Sequence, residues 1–180
     1  VVVNAIADAN VLDDEIVQLY EDFTIPLQLS AELSDVDGSE SLVSLVIEGV
    51  PEGALLSAGT VDTDTGVWTV EAADIDELAI TPVEHDASDI NLVLTLNSQE
   101  IDPDTAVVTT STSTINKTVY IDPIADAATL TTVGTTGVEN NPIALDITTA
   151  VVDLDGSESI SKIVISDVLE SATLSAGIKN

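Results

Sequence analysis

The sequence predicts an all-β protein made of tandem β-sandwich domains, and three observations support this. Apolar and polar residues alternate with a period of two in the clearest segments. The apolar runs are short and are separated by turns rich in Asp, Gly and Pro. A heptapeptide, Asp-x-Asp-Gly-Ser-Glu-Ser, occurs at 35–41 and again at 153–159. We therefore expect many strands, almost no helix and a duplicated unit.

The strands of the first copy follow from the alternation. Every second residue is apolar over 25–31 and again over 90–96, so each segment should present one face to a core. Further strands are expected over 12–20, 42–47, 54–58, 66–70, 78–81 and 106–121. Only 72–77 suggests a helical turn, because its small and acidic residues lack β-branched stiffness apart from Ile75. Seven or more short strands in one repeat are typical of an immunoglobulin-like or cadherin-like sandwich.

The duplication defines the domain organisation. The two copies are offset by 118 residues (153 − 35), and the offset holds without insertion from Ile6 to Gly59 and from Ile124 to Gly177. Solenoid repeats have periods of about 20–50 residues, so this longer period indicates whole domains. We expect a complete domain over 1–121 and the N-terminal half of a second over 122–180, either truncated or split by an insertion. Half a sandwich would leave open sheet edges and exposed apolar faces.

The composition restricts the partners. There are 33 acidic residues against three lysines, for a formal net charge of −30. Nucleic acid and anionic membranes are bound through basic residues, so neither is an expected partner. Cations are the expected partners. The hydrophobic fraction of 44% is too high for a disordered polyanion, and the absence of cysteine excludes disulfides and cysteine-based zinc sites.

The topology of a sandwich predicts where the acidic residues meet. The loop after the second strand lies beside the domain's own N-terminal linker, and the first turn of the preceding domain approaches from the other side. The carboxylates expected at the junction of the two copies are Glu21, Asp22, Asp122, Asp126, Asp153 and Asp155. A weaker upstream set at the start of the first domain is Asp8, Asp35, Asp37, Asp102 and Asp104.

Calcium is the cation that such a junction would suit. Ca²⁺ takes six to eight oxygen ligands, and Gly156 permits the sharp turn that lets Asp153 and Asp155 face one point. The alternative is a simple hydrophilic turn, since Asp and Gly are favoured in turns for backbone reasons alone. The motif is too short for an EF-hand, which needs a 12-residue loop.

An enzyme is the competing class, and we do not expect one. Acid/base chemistry on a glycoside needs two carboxyls across a cleft, whereas the acids here recur at turns of a repeat. His85, the sole histidine, is expected to be a solvated loop residue. Trp68 is expected to pack on the core or to cover a sheet edge rather than to bind a ligand.

Several short motifs together resemble the tandem domains of large RTX adhesins. The motifs are Asn4-Ala5-Ile6-Ala7-Asp8-Ala9, Glu21-Asp22, the heptapeptide, Gly49-Val50-Pro51-x-Gly53-Ala54, Leu56-Ser57-Ala58-Gly59 and Trp68-Thr69. They span essentially the whole chain. One departure is Asn140, which stands where the first copy has Asp22.

The resemblance implies a cell-surface protein of Gram-negative bacteria that is exported by type I secretion and acts in cell adhesion and biofilm formation. In such proteins, calcium stiffens immunoglobulin-like repeats that hold ligand-binding domains away from the cell. The implied partners are neighbouring repeats and, in the split-domain case, an inserted ligand-binding domain, with the segment itself a monomer. The alternative is a segment that itself adheres to a surface or to another copy.

Overall fold

The computed structural model describes residues 6–8, 10–35, 38–153 and 155–179, and within these it is all-β. The only helical element among them is a single 3-10 turn, Ala72–Asp74, inside the segment predicted to turn helically. None of the described residues forms a helix long and apolar enough to cross a membrane. The strands are β1 (Val11–Asp14), β2 (Val17–Tyr20), β3 (Ile25–Pro26), β4 (Leu29–Glu32), β5 (Glu40–Glu48), β6 (Leu55–Leu56), β7 (Thr60–Val61), β8 (Trp68–Glu71), β9 (Ala79–Thr81), β10 (Ile90–Ile101), β11 (Val108–Asp122), β12 (Thr129–Val133) and β13 (Asp146–Ala150).

The first copy contains three sheets that share one apolar core. The largest sheet has the order β2-β11-β10-β5-β8-β7, beside a three-stranded sheet β3-β9-β6 and a two-stranded sheet β1-β4. All pairings are antiparallel except β2 with β11. The apolar face predicted over 90–96 is buried along β10, and Trp68 packs partly buried against the same core. The predicted all-β class is confirmed, and sheets packed around one core are what a β-sandwich requires.

Two segments predicted as continuous strands are broken. The segment 25–31 changes sheets at Gln28, whose φ is +50°, so that β3 pairs with β9 whereas β4 pairs with β1. The segment 12–20 likewise divides into β1 and β2, which belong to different sheets. Ile25, Leu27 and Leu29 are nevertheless all buried. Alternation reports which side chains face the core, but not which neighbouring strand the backbone bonds to.

The second copy has fewer strands than the first, and its apolar side chains are more exposed. Its strands β12 and β13 form a separate two-stranded sheet, and the described residues after Ala150 form none. Ile25 is 0% exposed, whereas its repeat equivalent Ile143 is 48% exposed. Ile47 is 0% exposed and its equivalent Ile165 is 43% exposed. In the first copy, Ile25 pairs with β9 and Ile47 lies between β10 and β8, and these three strands have no counterpart among the described residues of the second copy.

Candidate cation-binding junction

Charged side chains from both copies converge where the first copy meets the second. Four segments supply them: the turn after β2, the loop between β9 and β10, the connector after β11, and the second heptapeptide after β13. We call this cluster the junction. Its members are Glu21, Asp22, His85, Asp126, Asp153, Asp155 and Glu158.

Backbone pairing fixes the first turn against the connector. The parallel pairing of β2 with β11 extends beyond both strands, because the Glu21 amide donates to the Asp122 carbonyl at 3.1 Å. The Ile124 amide then donates to Glu21 Oε1 at 2.7 Å. The side chain of Glu21 is fully buried, and its Oε2 has no hydrogen-bond partner. The Asp122 carboxylate instead accepts from Gln18 Nε2 at 3.0 Å, so Asp122 contributes to this geometry through its backbone.

The second heptapeptide is held to the connector and to the first copy by its own carboxylates. Glu158 accepts from the Asp126 amide at 2.9 Å and from the Val152 amide at 3.3 Å. Asp155 accepts from the Ser157 amide at 2.8 Å and, across the copies, from the Ala87 amide at 3.0 Å. These hydrogen bonds, with the Ser157 side chain contributing most, lower the pKa of Asp155. Both residues therefore shape the loop in addition to supplying charge.

His85 lies in the loop between β9 and β10, as the sequence indicated, but its side chain is 30% exposed and lies among the carboxylates, so it is only partly solvated. Its Nδ1 is 2.7 Å from Asp126 Oδ2, 3.4 Å from Asp153 Oδ1 and 3.6 Å from Asp22 Oδ2. The residue has a φ of +59°, and its amide donates to Asp22 Oδ1 at 2.8 Å. Asp22, His85 and Asp126 each present a potential metal-ligand atom, all within 4.8 Å of one another. No local motif signals this placement, which arises only when the β9–β10 loop packs on the junction.

Several carboxylate oxygens of the junction are buried without a hydrogen-bond partner. Asp153 is 1% exposed and neither of its oxygens has one, and the same holds for Asp126 Oδ2. Burial raises the pKa of Asp153, and the nearby charges of Glu158 and Asp126 raise it further. Burial likewise raises the pKa of Glu21 against the opposing effect of the Ile124 hydrogen bond. Unpaired buried charge is costly, so the arrangement favours a bound positive charge.

The metal-free protein should become more stable as the pH falls from 8 toward 5. The folded-state pKa values of Asp153 and Glu21 lie above their ordinary values of 3.8 and 4.5, so the folded protein binds protons first and gains stability as the pH falls through them. For His85, partial burial opposes protonation, but Asp22 and Asp126 raise the pKa above 6.5. The stability from protonated His85 is full below pH 6.5 and is lost as the pH rises through the higher folded value.

Urea unfolding of chelator-treated protein between pH 5 and 8 measures this effect. His85→Asn should remove the part of the pH dependence that lies above pH 6.5, whereas Asp153→Asn should weaken the part at lower pH. A wild-type stability that decreases steadily from pH 8 to pH 6 would contradict the charge arrangement described above.

At the other end of the first copy, the turn that carries Asp102 and Asp104 lies beside the first heptapeptide. The Ile101 amide donates to the Ser39 carbonyl at 3.1 Å, which places the turn after β10 beside the first heptapeptide. Asp102 Oδ1 accepts from the amides of Asp104 and Thr105, so part of its role is to close that turn. Asp8 and Asp104 are exposed and Asp35 is half-buried, whereas Asp37 lies outside the described residues.

Sequence reasoning missed two glutamates at this upstream end. Glu40 and Glu100 lie directly opposite each other on β5 and β10, and both are buried. Ser98 donates to Glu40 and Ser39 donates to Glu100, yet one oxygen of each carboxylate has no hydrogen-bond partner. The 118-residue offset pairs Glu40 with Glu158, so the repeat itself was a signal for this position. For Glu100, the only indication in the sequence was that an acidic residue stands at a position that faces the core along β10.

The fold and the junction define a class: an all-β repeat protein with a buried acidic contact between its copies. No known protein family, curated protein or solved structure matches this chain. The geometry of the junction and the sequence motifs are therefore the features of this chain that bear on its function.

Proposed function

We propose that this chain is a structural extender segment whose junction binds Ca²⁺ and is stiffened by it. The observation that carries the proposal is the convergence of Glu21, Asp22, Asp126 and Asp153 from both copies. All of them except the exposed Asp22 have a buried carboxylate oxygen with no hydrogen-bond partner. A chain with 33 acidic residues and three lysines has few cations of its own to neutralise such a cluster.

The donor set suits a hard divalent cation. Ca²⁺ binds carboxylate and carbonyl oxygens with flexible geometry, and Glu21, Asp22, Asp126 and Asp153 are the residues that would hold it. Extracellular calcium modules have dissociation constants of about 10⁻⁴–10⁻³ M, which would leave the junction metal-free where free calcium is low. Binding would then join the two copies only outside the cell.

The wider assignment is to a bacterial surface adhesin and depends on the motif resemblance. We propose an extracellular, cell-surface location, repeats of immunoglobulin-like or cadherin-like type, and neighbouring repeats of the same polypeptide as partners. We propose no enzymatic activity.

Amide exchange at the junction tests the stiffening directly. The amides of Ile124 and Asp126 donate to Glu21 and Glu158, so their exchange with solvent reports opening of the contact between the copies. Ca²⁺ at 10 mM should slow their exchange about tenfold or more, since 1.4 kcal/mol of linkage corresponds to that factor. The Gly66 amide, which bonds to Asp62 in a distant turn, serves as the internal control. Unchanged exchange at Ile124 and Asp126 would refute the proposal.

The adhesive alternative predicts a different outcome in the same buffer. A segment that adheres to another copy through calcium-bridged acidic surfaces should sediment as a dimer or larger species when Ca²⁺ is added. An extender should remain monomeric at all protein concentrations. Sedimentation with and without Ca²⁺ therefore separates the two functions.

A further inference from the structure

The junction contains a nitrogen donor that an all-oxygen calcium site would not need. His85 is the only histidine in the chain, and its imidazole lies inside the acidic cluster. Carboxylates alone favour Mg²⁺, Ca²⁺ and Mn²⁺, whereas imidazole favours Zn²⁺, Ni²⁺ and Cu²⁺. The identity of this one donor therefore affects which cation the junction prefers.

Nδ1 lies close to three carboxylates, and the ligand atoms of Asp22, His85 and Asp126 all lie within 4.8 Å of one another. Three carboxylate oxygens, from Asp126, Asp153 and Asp22, lie 2.7, 3.4 and 3.6 Å from it. None of them meets the geometry of a hydrogen bond to this nitrogen, although all are close. When a metal lies about 2.1 Å from nitrogen and oxygen ligands, as zinc does, adjacent ligand atoms are about 3.0–3.4 Å apart. The observed distances bracket this range.

Asp153 provides an independent indication of a ligand. Its side chain is 1% exposed, is directed at His85 Nδ1, and has no hydrogen-bond partner on either oxygen. A buried carboxylate in that state ordinarily has a metal or a charged partner, and the single charge of a protonated His85 would be shared among Asp22, Asp126 and Asp153. On the other side of the ring, Nε2 lies 3.7 Å from the exposed Glu84 carboxylate, which is longer than a hydrogen bond.

We infer that the junction binds a divalent transition-metal ion of the zinc class through His85 Nδ1 and the carboxylates of Asp22, Asp126 and Asp153. The inference rests on the proposed cation-binding junction and specifies its metal preference. Because the same carboxylates serve both ions, Zn²⁺ and Ca²⁺ compete for one site. The nitrogen contributes to Zn²⁺ binding and little to Ca²⁺ binding.

Calorimetric titration of the whole chain with ZnCl₂ and, separately, with CaCl₂ tests the inference. The informative variant is His85→Asn, because asparagine tolerates a positive φ and offers an oxygen in place of the ring nitrogen. We expect Zn²⁺ to bind the variant at least about tenfold more weakly, with Ca²⁺ affinity changed by less than about threefold. Asp153→Asn should weaken both ions. Saturating Zn²⁺ should also shift the NMR signals of the single imidazole.

The outcomes separate this inference from the proposed function. Zn²⁺ binding that is the same in wild type and His85→Asn, or imidazole signals that do not move, would overturn the inference while Ca²⁺ binding stands. Zn²⁺ binding that depends on His85, without any Ca²⁺ binding, would support the inference and refute the calcium proposal. A wild-type chain that binds neither ion would refute both.

Discussion

Ile47→Ala is expected to lower the free energy of unfolding by about 2–5 kcal/mol, the range for truncating a large aliphatic side chain in a core. Ile47 is fully buried on β5 and lies opposite Leu94 on β10 and Trp68 on β8. Its truncation leaves a cavity in the apolar core on which the largest sheet packs. Because close-packed interiors relax only partly, the surrounding side chains cannot fill that cavity. Urea denaturation followed by Trp68 fluorescence measures the loss.

The internal repeat provides a matched control. Ile165 is the equivalent of Ile47 in the second copy, and the same substitution there removes the same atoms from a side chain that is 43% exposed. We expect Ile165→Ala to cost less than about 1 kcal/mol, since partly exposed positions lose little transfer energy. Equal losses at the two positions would mean that the second copy has a core of its own, contrary to the structure.

Calcium should stabilise the chain, and Asp153→Asn should reduce that stabilisation. At 10 mM Ca²⁺, a site with a dissociation constant of about 10⁻⁴–10⁻³ M adds about 1.4–2.7 kcal/mol to the free energy of unfolding. Asp153 is the most buried carboxylate of the second heptapeptide, so its neutralisation removes a buried negative charge from the junction. Mg²⁺ should give a smaller shift, because it requires a more rigid octahedral site.

The same variant should behave in the opposite way without metal. Asp153→Asn removes a buried charge that faces Glu158 and Asp126, so the chelator-treated variant should be at least as stable as the wild type. Asp76→Asn, in an exposed turn, changes the net charge equally and should affect neither measurement. A wild-type Ca²⁺ response that survives in Asp153→Asn would place calcium elsewhere, with the upstream Glu40–Glu100 pair as the first candidate.

The sequence by itself determined the strand content, the repeat and the segments that carry the acids. Period-two alternation follows from the pleat of a strand, so the buried face of β10 could be assigned residue by residue. The 118-residue offset paired each heptapeptide with its linker aspartate without any structural knowledge. Turns that recur with the repeat brought Glu21, Asp126 and Asp153 into one expected junction, and the structure places them there.

Only the tertiary structure decided the contacts between elements distant in sequence. The switch of sheets at Gln28, the insertion of His85 among the carboxylates and the facing of Glu40 against Glu100 depend on strand pairing and loop packing. A local pattern records whether a side chain is inside or outside, because burial is a property of one residue. It does not record the partner, because a contact depends on two chain segments and on the path between them. The cation preference of the junction depends on such contacts between distant segments.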